Sequence, residues 1–294
     1  MKENEMKYSR SMSSNMPGLV MILIDQSRSM QEECPSYSNM TKANILSLNV
    51  NRVLAELCLR NTKDVMGKPQ IKPRIDVSVI GYGHEPKTKE IRVESAFGGK
   101  LSGKMIISLP EIAGNYIRLE TYQEGDNRGT TKIPIWIEPQ SVGQTPMGAA
   151  FRKATEVLEN WVSTHKASFP PVVLNFTDGE VNDVSPRKLS KIVKRLTKIE
   201  TNDGAVLLFN CHISSGTGIS CMLPSDISEV PKEESARLMF EMSSKFPSLM
   251  QSLAKGRGFP DMNDETRGFA YNVDVANFVH FLQIGTVGLS ERRG

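Results

Sequence analysis

The chain has 294 residues, long enough for one or two domains and for a core that needs no disulfide or metal staple. With 39% hydrophobic and 23% charged residues its composition is that of an ordinary globular protein, and a net charge of +3 from 36 basic and 33 acidic residues is too even for nucleic acid to be the main ligand. Cys34, Cys58, Cys211 and Cys221 show neither zinc-type pairing nor a disulfide framework, no apolar run reaches the ~20 residues of a membrane span, and the opening MKENEMKYSRSMSSNM lacks the apolar stretch of a signal peptide, so a cytoplasmic protein is expected.

Residues 1–16 are polar and read as a flexible N-terminal tail. GLVMILI (18–24) reads as a strand buried on both faces. TKANILSLNVNRVLAELCLR (41–60) follows a helical period, with Leu46, Val50, Val53, Leu54 and Leu57 on one stripe and Thr41 placed to cap its start. RIDVSVIGYG (74–83) alternates Ile75, Val77 and Val79 before two glycines and reads as a strand entering a turn. The stretch 84–144 holds β-like pieces, IRVESAF, KMIISL, YIRLETY and IPIWIEP, divided by Gly, Pro and Asn; it reads as an elaborated insertion with an edge strand.

The pattern then becomes regular. TPMGAAFRKATEVLENWVSTHK (145–166) reads as a helix with Met147, Ala150, Ala154, Val157, Leu158 and Trp161 on one side, Thr145 at the cap and Pro146 at the first helical position. PVVLNFTDGE (171–180) is a buried strand running into Asp-Gly, Ser185–Pro186 opens the helix PRKLSKIVKRLTKIE, and AVLLFNCHIS (205–214) is a third buried strand. SARLMFEMSS and FPSLMQSLAKG look helical, GFAYNVDV (268–275) is a further strand candidate and NFVHFLQIGTV a further helix. Buried strands alternating with amphipathic helices predict an α/β fold, a doubly wound, mainly parallel sheet with helices on both faces. Ligands of such sheets sit beyond the carboxyl ends of the strands, near the point where the strand order reverses.

Asp25 and Asp178 each stand just past an apolar strand, and the first is followed by Ser27 and Ser29 at a spacing of two. With Thr145 at a helix start, three distant stretches offer two carboxylates and three hydroxyls to one edge of the sheet. Magnesium takes six oxygens at about 2.0–2.1 Å and keeps some of its waters, and short side chains place oxygens near the backbone with few rotors to freeze. Two carboxylates would leave such an ion with residual positive charge and an open position, favouring an acidic ligand from outside. Each residue also has a plainer account: Asp25 can start a turn, Thr145–Pro146 can cap a helix, and Asp178–Gly179 is a common turn. Their joint occurrence at strand ends favours the metal.

The segments DQSRS (25–29), QTPMGAAF (144–151) and FTDGE (176–180) resemble the metal-ion-dependent adhesion site of von Willebrand factor A domains, Asp-x-Ser-x-Ser, then Thr, then Asp, in this chain order. The likeness covers 17–287 and implies a single domain at 17–290 of Rossmann-like type. It implies Asp25, Ser27, Ser29, Thr145 and Asp178 as ligands of Mg2+, with Mn2+ able to substitute, and a protein partner that supplies an Asp or Glu carboxylate. The flavour is that of bacterial cytoplasmic TerY-like proteins, whose neighbours are often protein kinases and PP2C-type phosphatases. Two departures stand out. Arg28 occupies a position where the family often has Gly, and it either reaches an acidic partner or points into solvent. The stretch 84–144 is long for its place.

GGKLSGKM (98–105) matches a phosphate-loop spacing, but Met105 replaces the Ser or Thr that would hold magnesium. His84, His165, His212 and His280 are scattered, and no Gly-x-Ser-x-Gly occurs. SSGTG (214–218) reads as a Gly-rich loop. Arg187, Lys188, Lys191, Lys194, Arg195 and Lys198 make one helix basic, either a solvated face or a patch for an acidic partner. The expected function is therefore a non-enzymatic, metal-dependent protein-binding module of regulatory or scaffold type, without nucleic-acid or membrane partners. The alternative is a metal-dependent phosphohydrolase, which lacks an obvious nucleophile or general base in the sequence and lacks the second acid two residues after Asp25.

Overall fold

The structure is a computed structural model and describes residues 7–34, 40–123, 130–179, 181–213, 220–255 and 261–272. In chain order the elements are β1 (Gly18–Asp25), α1 (Lys42–Arg60), β2 (Thr62–Val65), β3 (Lys68–Ile71), β4 (Ile75–His84), β5 (Ile91–Ser95), β6 (Ile107–Ser108) and α2 (Leu109–Ala113). There follow β7 (Arg118–Gln123), β8 (Thr130–Ile135), α3 (Met147–Thr164), β9 (Val172–Thr177), α4 (Pro186–Leu196), β10 (Glu200–Thr201) and β11 (Gly204–Ala205). The last are β12 (Leu207–His212), β13 (Cys221–Met222), α5 (Glu234–Met242), α6 (Ser248–Lys255) and β14 (Phe269–Tyr271).

Among the described residues the main sheet runs β13-β14-β12-β9-β1-β4-β5, with β6 also on β4. β14, β12, β9, β1 and β4 are mutually parallel, while β5, β6 and β13 join antiparallel at the margins. The chain leaves β1 for β4 on one side, then returns to lay β9 and β12 on the other. The order therefore reverses between β1 and β9, the crevice where doubly wound sheets bind ligands.

Every residue of β1 is buried because both faces are covered. Val20, Ile22 and Ile24 pack with Leu46, Val50 and Leu54 of α1 and Met250 of α6. Leu19, Met21 and Leu23 face the other way, toward Phe151 and Leu158 of α3, Leu189 of α4 and Phe240 of α5. Each such side chain contributes about 1.5–3 kcal/mol relative to exposure. Helix α1 starts where expected: Thr41 Oγ1 accepts from Asn44 N at 3.2 Å and Asn44 Oδ1 accepts from Thr41 N at 3.3 Å, a reciprocal cap.

A row of neutral polar side chains crosses the sheet interior. Tyr82 Oη donates to Asn175 Oδ1 at 3.0 Å, Asn175 Nδ2 to Asn210 Oδ1 at 3.0 Å, and Asn210 Nδ2 to Ser243 Oγ at 3.0 Å. All four are fully buried or nearly so. Matched partners make that burial tolerable.

The stretch 84–144 is only partly strand-like. β5 is the expected edge strand, but KMIISL gives just the two-residue β6 before turning into α2. β7 and β8 form a separate hairpin that lies on α1 through Leu48, Ile133 and Ile135. Asn51 of α1 fastens its exit: Nδ2 donates to Ile137 O at 2.9 Å while Oδ1 accepts from Trp136 N and Ile137 N. Residues 7–16, expected as part of a flexible tail, are packed: Met12 is buried, Tyr8 meets Phe169 edge-on at 6.3 Å, and the Asp203 carboxylate accepts from Ser9 N and Arg10 N. The SSGTG loop and the helix expected at 277–287 lie outside the described residues. No helix among the described residues is long and apolar enough to cross a membrane.

Candidate functional site

β1 delivers Asp25 to the upper edge of the sheet, and the next residues fold back at once. Ser27 N donates to Asp25 Oδ1 at 2.8 Å, Arg28–Gln31 forms a single 3-10 turn, and Met30 plugs that turn into the core at 0% exposure. Backbone bonds clamp the turn to the segment before α3: Val142 N donates to Gln26 O at 2.6 Å and Arg28 N to Gly143 O at 2.8 Å. Ser27 Oγ and Ser29 Oγ stand 3.0 Å apart, and Ser29 Oγ donates to Asp178 Oδ1 at 2.7 Å. Asp178 follows β9, and the adjacent Thr177 hydroxyl donates to Asp25 Oδ2 at 2.6 Å.

Thr145 is placed by a device the sequence did not disclose. α3 begins at Met147, with Pro146 rather than Thr145 at its cap and no side-chain cap from either. The helix start is capped from elsewhere: Asp183 accepts from Gly148 N at 2.9 Å and Ala149 N at 2.8 Å, while Asn182 Oδ1 accepts from Thr145 N at 3.0 Å. The Thr145 hydroxyl is thus not drawn into capping. A Cβ placed on Gly179 would stand 2.8 Å from Thr145 Oγ1 and 3.7 Å from both Asp25 Oδ2 and Ser29 Oγ. The absent side chain of one glycine leaves a cradle, a point on which oxygens of Asp25, Ser29 and Thr145 converge. Hydrogen bonds to Ser29 tie Ser27 and Asp178 to the same cluster.

The donor set is all oxygen, two carboxylates and three hydroxyls. Among the described residues no group of three or more His, Cys, Asp or Glu could hold a metal, so hydroxyls and waters would have to complete a shell begun by the two carboxylates. Hard oxygens on short side chains fit a small divalent cation such as magnesium or manganese and ill suit softer ions. Burial pushes the Asp25 carboxyl up to about 7; hydrogen bonds from Thr177 and Ser27 oppose that rise and the negative charge of Asp178 adds to it. An ionised Asp25 is thus short of positive charge.

Three neighbours escaped the sequence reading. Lys42, the first residue of α1, is 4% exposed and donates to Asp178 Oδ2 and Glu32 Oε2, both at 2.8 Å. Burial works against its ammonium, but the two carboxylates outweigh burial and its pKa is raised. Thr177 was visible only as part of a strand. His212 ends β12 in register with Thr177 and stacks on Tyr271 with ring centres 4.7 Å apart; burial lowers its pKa. Arg28 is exposed beside the cradle, and an open mouth lined by Arg28, Ser29, Gln31 and Glu32 adjoins it at Ser29. On the other side of Gly179 lies a groove of about 130 Å3 lined by Met147, Val181, Pro186, Leu238 and Met239.

Fold and site together define a class: a doubly wound α/β protein with a carboxylate–hydroxyl cradle at the switch point of its sheet. No protein-family profile and no curated protein matches the chain. Among solved structures it is similar to a von Willebrand factor type A protein from Catenulispora acidiphila, at 13% identity and TM-score 0.37 over 76% of this chain and 37% of that one. It is also similar to the human COPII-coat protein Sec24c, at 11% and 0.29 over 73% and 27%, and to the PilB minor pilin from Streptococcus sanguinis, at 11% and 0.41 over 94% and 62%. The chain spans less than two thirds of each of those chains, and at such TM-scores the fold assignment rests on the strand order and register described above.

Proposed function

We propose that the cradle binds Mg2+, with Mn2+ able to substitute, and that the chain is a non-enzymatic protein-binding module whose partner supplies an Asp or Glu carboxylate. The observation that carries this reading is the convergence of Asp25 Oδ2, Ser29 Oγ and Thr145 Oγ1 on the space above Gly179. The ordered motif shared with von Willebrand factor A adhesion sites supports it from the sequence side. Asp25 and Asp178 would hold the ion by charge, directly or through waters, and Ser27, Ser29 and Thr145 would contribute neutral oxygens. Bound there, the cation supplies a Lewis-acidic position for an external carboxylate. The chain's own residues do the rest: β1 and β9 fix both acids, the clamp between 26–28 and 142–143 fixes the serines against Thr145, and the open mouth admits the partner. Arg28 stands ready to meet an acidic residue beside the first.

A regulatory or scaffold role in the bacterial cytoplasm, near a kinase or PP2C-type phosphatase, follows from the TerY-like flavour. Calorimetric titration of the full chain with MgCl2 tests the proposal. One site is expected in the wild type and none in Asp25→Ala; an unchanged isotherm in the variant overturns it. Turnover of a generic phosphate ester that disappears in Asp25→Asn would instead favour the phosphohydrolase.

A further inference from the structure

Lys42 opens a helix, where a lysine stem ordinarily lies along the surface with its head in water. Here the side chain is 5% exposed and its ammonium is held between Asp178 Oδ2 and Glu32 Oε2, at 2.8 Å from each. The Asp178 side chain is fully buried; its other oxygen already accepts from Ser29. One of the two carboxylates assigned to the metal is therefore neutralised by a cation belonging to the chain itself. The two carboxylates that share the ammonium differ sharply. Asp178 is inside the cradle, whereas the Glu32 side chain is 59% exposed at the rim of the open mouth. An ammonium that leaves Asp178 still has an acid within reach, and that acid lies toward solvent.

We propose that Lys42 is a resident competitor for the cation position at Asp178, and that Glu32 receives its ammonium when a divalent ion enters the cradle. The inference rests on the metal-binding reading above. It explains how a buried carboxylate stays compensated in the metal-free chain, since an unpaired buried charge is strongly disfavoured. It also makes metal entry an exchange of one cation for another. The divalent ion has to displace a charge at hydrogen-bond distance, which weakens its affinity and favours release once the partner's carboxylate leaves. The same exchange carries Lys42 from the interior to the mouth, on the side where an acidic partner would approach.

The test uses the full chain in two ways. In calorimetric titrations with MgCl2, Lys42→Met should bind about tenfold or more tightly than the wild type, because a unit charge a few ångströms away acts at least that strongly even when well screened. Glu32→Gln, an exposed change that spares the fold, should weaken binding severalfold in the wild-type background. In the Lys42→Met background it should do so by less than about twofold, the mark of a shared interaction. In parallel, amine acylation of the unaltered protein, read by peptide mass spectrometry, should rise severalfold at Lys42 when MgCl2 saturates the site, while exposed Lys191 stays constant. Equal or weaker binding by Lys42→Met, or Lys42 labelling indifferent to MgCl2 that the wild type demonstrably binds, overturns the competitor and leaves the metal site standing. Absence of binding by the wild type and every variant overturns both.

Discussion

Two buried polar clusters sit on the same strands and differ in what they lack. The Tyr82–Asn175–Asn210–Ser243 row is neutral, and each amide meets a partner within the protein. One strand end away, Asp25, Ser27, Ser29, Asp178 and Thr177 also bond to one another, but they hold two carboxylates and a single lysine. The neutral row closes on itself; in the charged cluster Lys42 pairs with Asp178, and an ionised Asp25 has no cation beside it. Self-completion marks the first as structure, while the shortfall is what a binding site requires.

The largest expected effect comes from breaking the neutral row. Asn210→Ala removes the partner of Asn175 Nδ2 and of Ser243 Oγ, and should lower stability by about 2–4 kcal/mol through unmatched buried groups. Urea midpoints should show that loss equally with and without MgCl2. A loss confined to one condition would mean that the two clusters are not separable.

Asp25→Asn should do the reverse in metal-free protein, stabilising it by about 1–3 kcal/mol at pH 8 by removing an uncompensated buried charge. The sign with pH follows from the raised carboxyl. The unfolded chain releases this proton near the ordinary 3.8 and the folded chain near about 7, so between those values the folded state holds more protons. Relative to Asp25→Asn, the metal-free wild type should gain stability as pH falls from 8 toward 5. Saturating MgCl2 should flatten that difference, and urea midpoints at both pH values measure it. Against the same variant the contribution of His212 cancels; buried neutral, it loses stability as pH falls below about 6.5, the unfolded imidazole value.

The strand ends were legible in the sequence because each is a local event, an apolar run stopping at a small acid. Thr145 was legible as a position but not in its role: the cap comes from Asp183, 35 residues beyond Gly148, and no local pattern reveals that. Lys42 was invisible for the same reason. At the head of an amphipathic helix it reads as surface, and its partners, Glu32 and Asp178, are brought to it only by the fold. The stretch 84–144 resisted ordering because its strands pair outside the repeating β–α pattern, β5 and β6 with β4 and the hairpin with α1.

Two smaller effects sharpen the contrast. Gly179→Ala places a methyl group 2.8 Å from Thr145 Oγ1 and should weaken Mg2+ at least about tenfold in calorimetry by filling the cradle. Its stability should fall as well, by about 1 kcal/mol, since the buried Thr145 side chain has to give way to the methyl group. Arg28→Ala, at an exposed side chain, should leave Mg2+ affinity within about twofold and lower only the association rate of an acidic partner, by stopped-flow at low salt.

Anomalous scattering from crystals soaked in MnCl2 is the most direct measurement. A single peak above Gly179, touching Asp25 and flanked by Ser27, Ser29, Thr145 and Asp178, is the expected result. A cradle without a peak, its hydroxyls still bonded to one another and Lys42 still seated on Asp178 at saturating Mn2+, would contradict it.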